Sequence, residues 1–163
     1  MWATAGSLQS RCPMEKFLIV RAKKEHIKEI AEVEKECFSL PWSEESLLKE
    51  VENEKFSMFA AILPETGKVI GWSGFSFIFD EAEVANIAVL KEHRGMGAGY
   101  ALTKALLDDA KEKDLQSVIL EVRESNESAK KIYKALGFSE IAVRKNFYEF
   151  PRENGISMTA QLK

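Results

Sequence analysis

Apolar residues at positions 27, 30, 31 and 33, with charges between them, repeat at helical spacing and predict a helix over 24–38. The short apolar run 17–21 before it predicts a strand. In "LPWS" (40–43), Pro41 breaks the helical pattern, and Ser43 supplies an N-cap for a second helix to about Val51. Two apolar runs, 56–63 and 68–79, flank the turn sequence "PETGK" and predict an antiparallel pair of strands. A further strand is expected over 83–89. Leu102, Ala105, Leu106 and Ala110 then mark a helix to about Lys113, and 117–123 reads as a strand. A helix over 126–136 is capped by Asn126 and stopped by Gly137, and 138–148 and 156–161 read as closing strands.

The order β-α-α-β-β-β-α-β-α-β-β predicts a mixed α/β (α+β) fold, with one central twisted mixed sheet and helices on both faces. The strand, glycine-rich loop, helix and strand over 83–123 should form a crossover between parallel strands. Nothing divides residues 14–163, so a single domain is expected there. Residues 1–13 read as a disordered extension or an expression remnant ahead of "MEKFLIV".

Charge and composition narrow the partners. A net charge of −3 leaves no basic excess, so no nucleic-acid partner is expected. The longest uncharged stretch, 69–79, is too short to span a bilayer, so no membrane role is expected. Cys12 and Cys37 stand alone without a CxxC pattern, which fits a reducing, cytoplasmic setting and offers no metal site.

Candidate chemistry begins at "HRGMGAGYALTKAL" (93–106), which holds three of the chain's nine glycines. Glycine permits positive φ and close backbone approach, and free N–H groups at a helix start bind anions. The spacing fits neither the GxxxxGK[ST] of a P-loop nor the GxGxxG of a dinucleotide site. It does fit R-x-x-G-x-G, as Arg94, Gly95, Met96, Gly97, Ala98 and Gly99. With "NIAVLKEHRGMGAGYAL", "LEVRESNESAKKIYKALGF" and "LPWS" around it, the chain resembles the GNAT family of acetyl-CoA-dependent N-acetyltransferases. Within that family it is similar to the branch that acetylates the N-terminal alanine of a small-subunit ribosomal protein.

The resemblance implies the GNAT acyl-CoA N-acyltransferase fold and acetyl-CoA as cosubstrate, without a metal. It implies that the six motif residues and Tyr100 hold the cofactor's pyrophosphate. It further implies that the backbone of Ile87, Ala88 and Val89 pairs with pantetheine, and that Asn126 bonds the cofactor. Asn126 is equally explained as a helix cap.

Two residues are placed for proton chemistry. Glu121 is a lone carboxylate inside "SVILEVR", and by itself reads as readily as a salt-bridged or edge residue. The resemblance implies a general base. Tyr133 in "AKKIYKALGF" reads as core packing, and the resemblance implies that it protonates the departing thiolate. On the acceptor side, Trp42 alone reads as a core anchor. The resemblance implies that Pro41 and Trp42 form one wall of the peptide groove, and that "RKNFYEFPRENG", with Tyr148, forms the other. The branch often carries two tyrosines where this chain has Phe147 and Tyr148. The expected partners are acetyl-CoA and the N-terminal peptide of a ribosomal protein, joined in a ternary complex. A GNAT acting on a small-molecule amine, and a non-catalytic acyl-CoA-binding module, are the alternatives.

Overall fold

The computed structural model describes residues 16–163, and the reading of residues 1–13 lies outside the described residues. Strand β1 (Leu18–Arg21) leads through a 3-10 turn into α1 (Ile27–Cys37). Ile27, Ile30, Ala31 and Val33 are all buried, so the helical spacing marks the packed stripe of α1. Helix α2 (Glu44–Val51) starts where Ser46 N–H donates to Ser43 Oγ at 3.1 Å, and Leu47 anchors it in the core. Strands β2 (Phe56–Ile62) and β3 (Val69–Ile78) pair antiparallel. Strand β4 (Glu81–Val89), helix α3 (Ala98–Glu112) and strand β5 (Ser117–Arg123) form the crossover, and β4 runs parallel to β5. Helix α4 (Glu127–Ala135) is capped by Asn126, whose Oδ1 accepts from Ala129 N–H at 3.2 Å, and stops at Gly137 with φ 102°. Strands β6 (Ser139–Tyr148) and β7 (Glu153–Gln161) follow.

The sheet order is β1-β2-β3-β4-β5-β7-β6, and every neighbouring pair except β4–β5 is antiparallel. One face carries α3 over a core that includes Ile70, Phe75, Leu102, Leu106, Leu120 and Met158. The other carries α1 and α2 over Met58, Ala60 and Trp72. In β5, Val118, Leu120 and Val122 are buried against α3, which turns Ile119, Glu121 and Arg123 to the opposite face. No helix among the described residues is long and apolar enough to cross a membrane.

Helix α3 is pinned to β1 and β2 by buried Asp109. Its carboxylate accepts from Arg21 Nη2 at 2.8 Å, Ser57 Oγ at 2.6 Å and Lys113 Nζ at 2.9 Å. Burial pushes the Asp109 carboxyl upward, but these donors outweigh it and hold the group below the usual carboxylate range. Nothing local in the sequence marks this link, because Arg21 and Ser57 are 88 and 52 positions away.

Two boundaries differ from expectation. Strand β4 starts at Glu81, so the turn shrinks to Phe79 and Asp80, and Phe79 takes φ 56°. The apolar character of Phe79 suggests a strand residue, but the pairing of Ile78 with Glu81 closes the hairpin before it. Strand β7 begins at Glu153, three residues before the expected start at 156, and runs through Gly155. A Cβ on Gly155 would lie 3.0 Å from the Phe147 ring, so the glycine lets that ring lie on the strand.

Candidate active site

Strands β4 and β5 pair only where Glu81, Ala82 and Glu83 face Ser117, Val118 and Ile119. Just beyond, Gly74 and Phe75 of β3 face Asn86 and Val84, which leaves Ala85 as an extra residue in β4. Such a bulge bends its strand, and β4 parts from β5 here. Over residues 84–89, β4 keeps β3 on one side and has no strand partner on the other among the described residues. The backbone on that open side is available to an extended ligand. Ile87 and Val89 pack into the α3-face core and Ala88 into the α1-face core, so this segment offers a ligand its backbone.

The glycine run follows β4. Gly95 and Gly97 have φ 84° and 93°, values that favour glycine. A Cβ on either would meet nothing within 4 Å, so conformation rather than crowding is the constraint. Gly97 is the N-cap of α3, whose first turn contains no acidic residue and no side-chain cap. The first-turn N–H groups of this 15-residue helix therefore suit an anion. Gly99 differs: it lies within α3, and a Cβ there would be 3.5 Å from Ile132, an ordinary contact. Arg94 is exposed, but its guanidinium is engaged. Its Nε donates to Val89 O at 2.9 Å and its Nη2 to Cys37 Sγ at 3.5 Å, which ties the loop to the end of β4. Met96 packs on the core, Ala98 is buried, and Tyr100 is exposed on the first turn. Asn126 spends its Oδ1 on the α4 cap, and its NH₂ is a separate donor.

Glu121 sits on β5 beyond the point where β4 departs, with its side chain 13% exposed. Ser157, opposite it on β7, donates its hydroxyl to Glu121 Oε2, and Arg144 Nη1 from β6 lies 3.5 Å from the same oxygen. Tyr133 reaches from α4 into the α3-face core, with its ring 5.8 Å from that of Phe138. Burial, reinforced by Tyr148, pushes the Tyr133 phenol well above the usual tyrosine range. Tyr148 is pushed up to about 12 by burial and by the nearby Glu121 carboxylate. Glu121 and Tyr133 thus approach from opposite faces of the sheet, and Tyr148 is within electrostatic reach of both.

Arg123 lies 4.4 Å from the centre of the Tyr148 ring and holds the β6–β7 loop through Pro151 O at 2.9 Å and Glu153 at 3.1 Å. Phe147 packs edge-on against Tyr148 at 5.0 Å and under Arg144 at 4.6 Å. Ser157 and Arg144 escape the sequence reading as partners of Glu121, since only the register of β5, β7 and β6 brings them to it, whereas Arg123 shares the Glu121 face through the alternation of β5 itself.

On the α1 side, Pro41 is exposed and Trp42 is half-buried. The Trp42 ring packs against Phe56 at 6.1 Å and Trp72 at 6.4 Å, and its backbone N–H donates to Glu34 Oε1 at 2.9 Å. Burial pushes the Glu34 carboxyl above its usual range, against the pull of its hydrogen bonds. The signal for Glu34 was present in the sequence: it stands seven residues after Ile27 and four after Ile30, on the buried stripe of α1. Two surface depressions of about 540 and 470 Å³ lie along α2 from Trp42 and beside the β3–β4 turn. Neither is lined by Glu121 or Tyr133.

Residues 27–138 match the model of the Acetyltransferase (GNAT) family. The chain is 38% identical over 134 residues to the ribosomal protein bS18-alanine N-acetyltransferase of Haemophilus influenzae, covering 80% of this chain and 89% of that one. It is 33% identical over 128 residues to the enzyme of that name from Escherichia coli K12, covering 77% and 84%. The crystal structure of the ribosomal-protein-S18-alanine N-acetyltransferase from Escherichia coli matches with a TM-score of 0.80 at 28% identity, over 90% of this chain and 94% of that one.

Proposed function

The chain belongs to the GNAT family of acetyltransferases, and from that premise we propose that it acetylates the N-terminal alanine of a small-subunit ribosomal protein. The observation that carries the reading is the open edge of β4 beside Glu121, joined to a glycine-capped helix start. Acetyl-CoA supplies an acyl group already activated as a thioester. The backbone over 84–89 holds the pantetheine arm, and the Gly95–Gly97 turn with the first turn of α3 holds the pyrophosphate. The loop carrying Pro41 and Trp42 and the β6 end at Tyr148 flank the acceptor peptide. The acceptor being ribosomal, we place the enzyme in the cytoplasm.

An α-amine, with a pKa of about 7.7–8.0, is mostly protonated at neutral pH and must lose a proton to attack. Glu121 takes that proton, directly or through one water. Ser157 and Arg144 fix the orientation of its carboxylate. Tyr133, like any phenol with a pKa of about 10, keeps its proton at neutral pH, and burial makes it a weaker acid still. A thiol, near pKa 8.5, is the stronger acid of the two, so complete transfer from Tyr133 to the departing thiolate is uphill. Tyr133 therefore acts by donating a hydrogen bond to the sulfur as the C–S bond breaks, and the thiolate takes its proton from solvent.

Turnover of acetyl-CoA against short peptides that differ only in the first residue tests the proposal. Alanine-first peptides should give the highest kcat/KM, and N-terminally blocked peptides should give none. A panel in which free small amines turn over best would favour a small-molecule acetyltransferase instead.

A further inference from the structure

Glu34 is 0% exposed, yet the proton chemistry above leaves it without a task. All its hydrogen-bond partners among the described residues are neutral donors. Trp42 N–H donates to Oε1 at 2.9 Å, Trp72 Nε1 to Oε2 at 2.9 Å, and Asn86 Nδ2 to Oε1 and Oε2 at 3.1 and 3.0 Å. A carboxylate buried without a cation is costly, and an apolar side chain would fill the same space more cheaply. What the carboxylate adds is two acceptor atoms that satisfy donors from three separate elements. One donor belongs to the α1–α2 loop, one to β3, and one to β4 immediately before Ile87.

We infer that Glu34 is a positioning residue for the acceptor: it fixes the backbone at Trp42 against β4, and so sets the acceptor side of the groove. The inference rests on the reading of Trp42 as an acceptor wall. The two sides of the groove depend on Glu34 unequally. Strand β4 is held by its ladder with β3 from Glu81 to Val89, whatever the Asn86 side chain does. At Trp42, the backbone N–H is tied down through Glu34 itself. Loosening Glu34 therefore moves the acceptor side first.

Glu34→Gln keeps the size of the side chain but replaces one acceptor oxygen with an NH₂ group. Whichever way the amide turns, the NH₂ meets a donor, either Trp42 N–H or the Trp72 indole N–H. The KM for an alanine-first peptide should rise about tenfold, as expected for one lost buried hydrogen bond, while the KM for acetyl-CoA stays within about twofold. Adding Trp72→Phe removes the indole N–H and lets the amide oxygen return to Trp42. In the double variant the peptide KM should fall back to that of Trp72→Phe alone. A carboxylate serving only stability would shift both KM values together with the melting temperature.

If both KM values rise together, or the peptide KM of folded Glu34→Gln is unchanged, Glu34 does not position the acceptor. If Glu34→Gln does not fold, Glu34→Asp, which keeps the carboxylate but shortens its reach to Trp42 N–H, carries the test: a peptide KM raised about tenfold with the acetyl-CoA KM within about twofold supports the inference, and an unchanged peptide KM overturns it. Trp42→Ala separates the two levels. An unchanged peptide KM there removes the acceptor wall and the inference with it. A raised one, beside an unchanged Glu34→Gln, removes the inference alone.

Discussion

A phenol buried among apolar side chains keeps its proton, and this sets what Tyr133 does at neutral pH. Tyr133→Phe keeps the ring and its packing on Phe138 but removes the hydroxyl. Its kcat should fall by about 10²–10³, the usual loss for one donor aimed at developing negative charge, with acetyl-CoA affinity and melting temperature nearly unchanged. A lower melting temperature with an unchanged kcat would make Tyr133 a core residue only. Glu121→Gln removes the base and keeps the contact to Ser157 within reach. Its kcat should fall by about 10²–10⁴ near neutral pH. The loss should be greatest at low pH and recover in part above the pKa of the amine, where the acceptor deprotonates without help. A uniform loss across pH would assign Glu121 to architecture.

Among the elements, the loop and helix start of the glycine run divide the work between glycines that the sequence presents as equals. Gly97 needs its positive φ, so Gly97→Val should cost about 1–2 kcal/mol in backbone strain and abolish measurable acetyl-CoA binding by calorimetry. Gly99 lies inside α3 with room for a methyl group, so Gly99→Ala should bind acetyl-CoA within about twofold of the parent. Equal losses in the two variants would mean that crowding against the ligand, not conformation, governs the loop. The stripes of α1 and α3 and the alternation of β5 were legible in the sequence because each element buries one face. The bulge at Ala85 was not, since it is a property of register between β3 and β4 and no single residue announces it. The early start of β7 was hidden for a related reason: the small size of Gly155 serves the Phe147 ring, which comes from the neighbouring strand.

For the whole molecule, buried Tyr133 and half-buried Tyr148 make stability depend on alkaline pH. The folded pKa values of Tyr133 and Tyr148 both exceed the unfolded value of about 10. Below that pH both states hold the protons and stability is unaffected by them. Above it the unfolded chain releases protons that the folded chain retains, so stability falls as pH rises from about 10 through 12. Urea unfolding between pH 9 and 11.5 should show this slope, and Tyr148→Phe should reduce it. An unaltered slope in that variant would mean that Tyr148 ionises freely in the fold.

The site as a whole was half legible. The motif residues and Glu121 stand in local patterns, whereas Ser157 and Arg144 are supplied by strands far along the chain, and Glu34 carries its meaning only once Trp42, Trp72 and Asn86 surround it. The claim they jointly support is acetyl transfer to an N-terminal amine in an open groove. The most direct measurement uses one peptide that begins with alanine and carries an internal lysine, incubated with acetyl-CoA and the enzyme. Tandem mass spectrometry then locates the acetyl group. The expected result is a single acetyl group on the alanine α-amine; acetyl on the lysine side chain alone, or no transfer while acetyl-CoA binds, would contradict it.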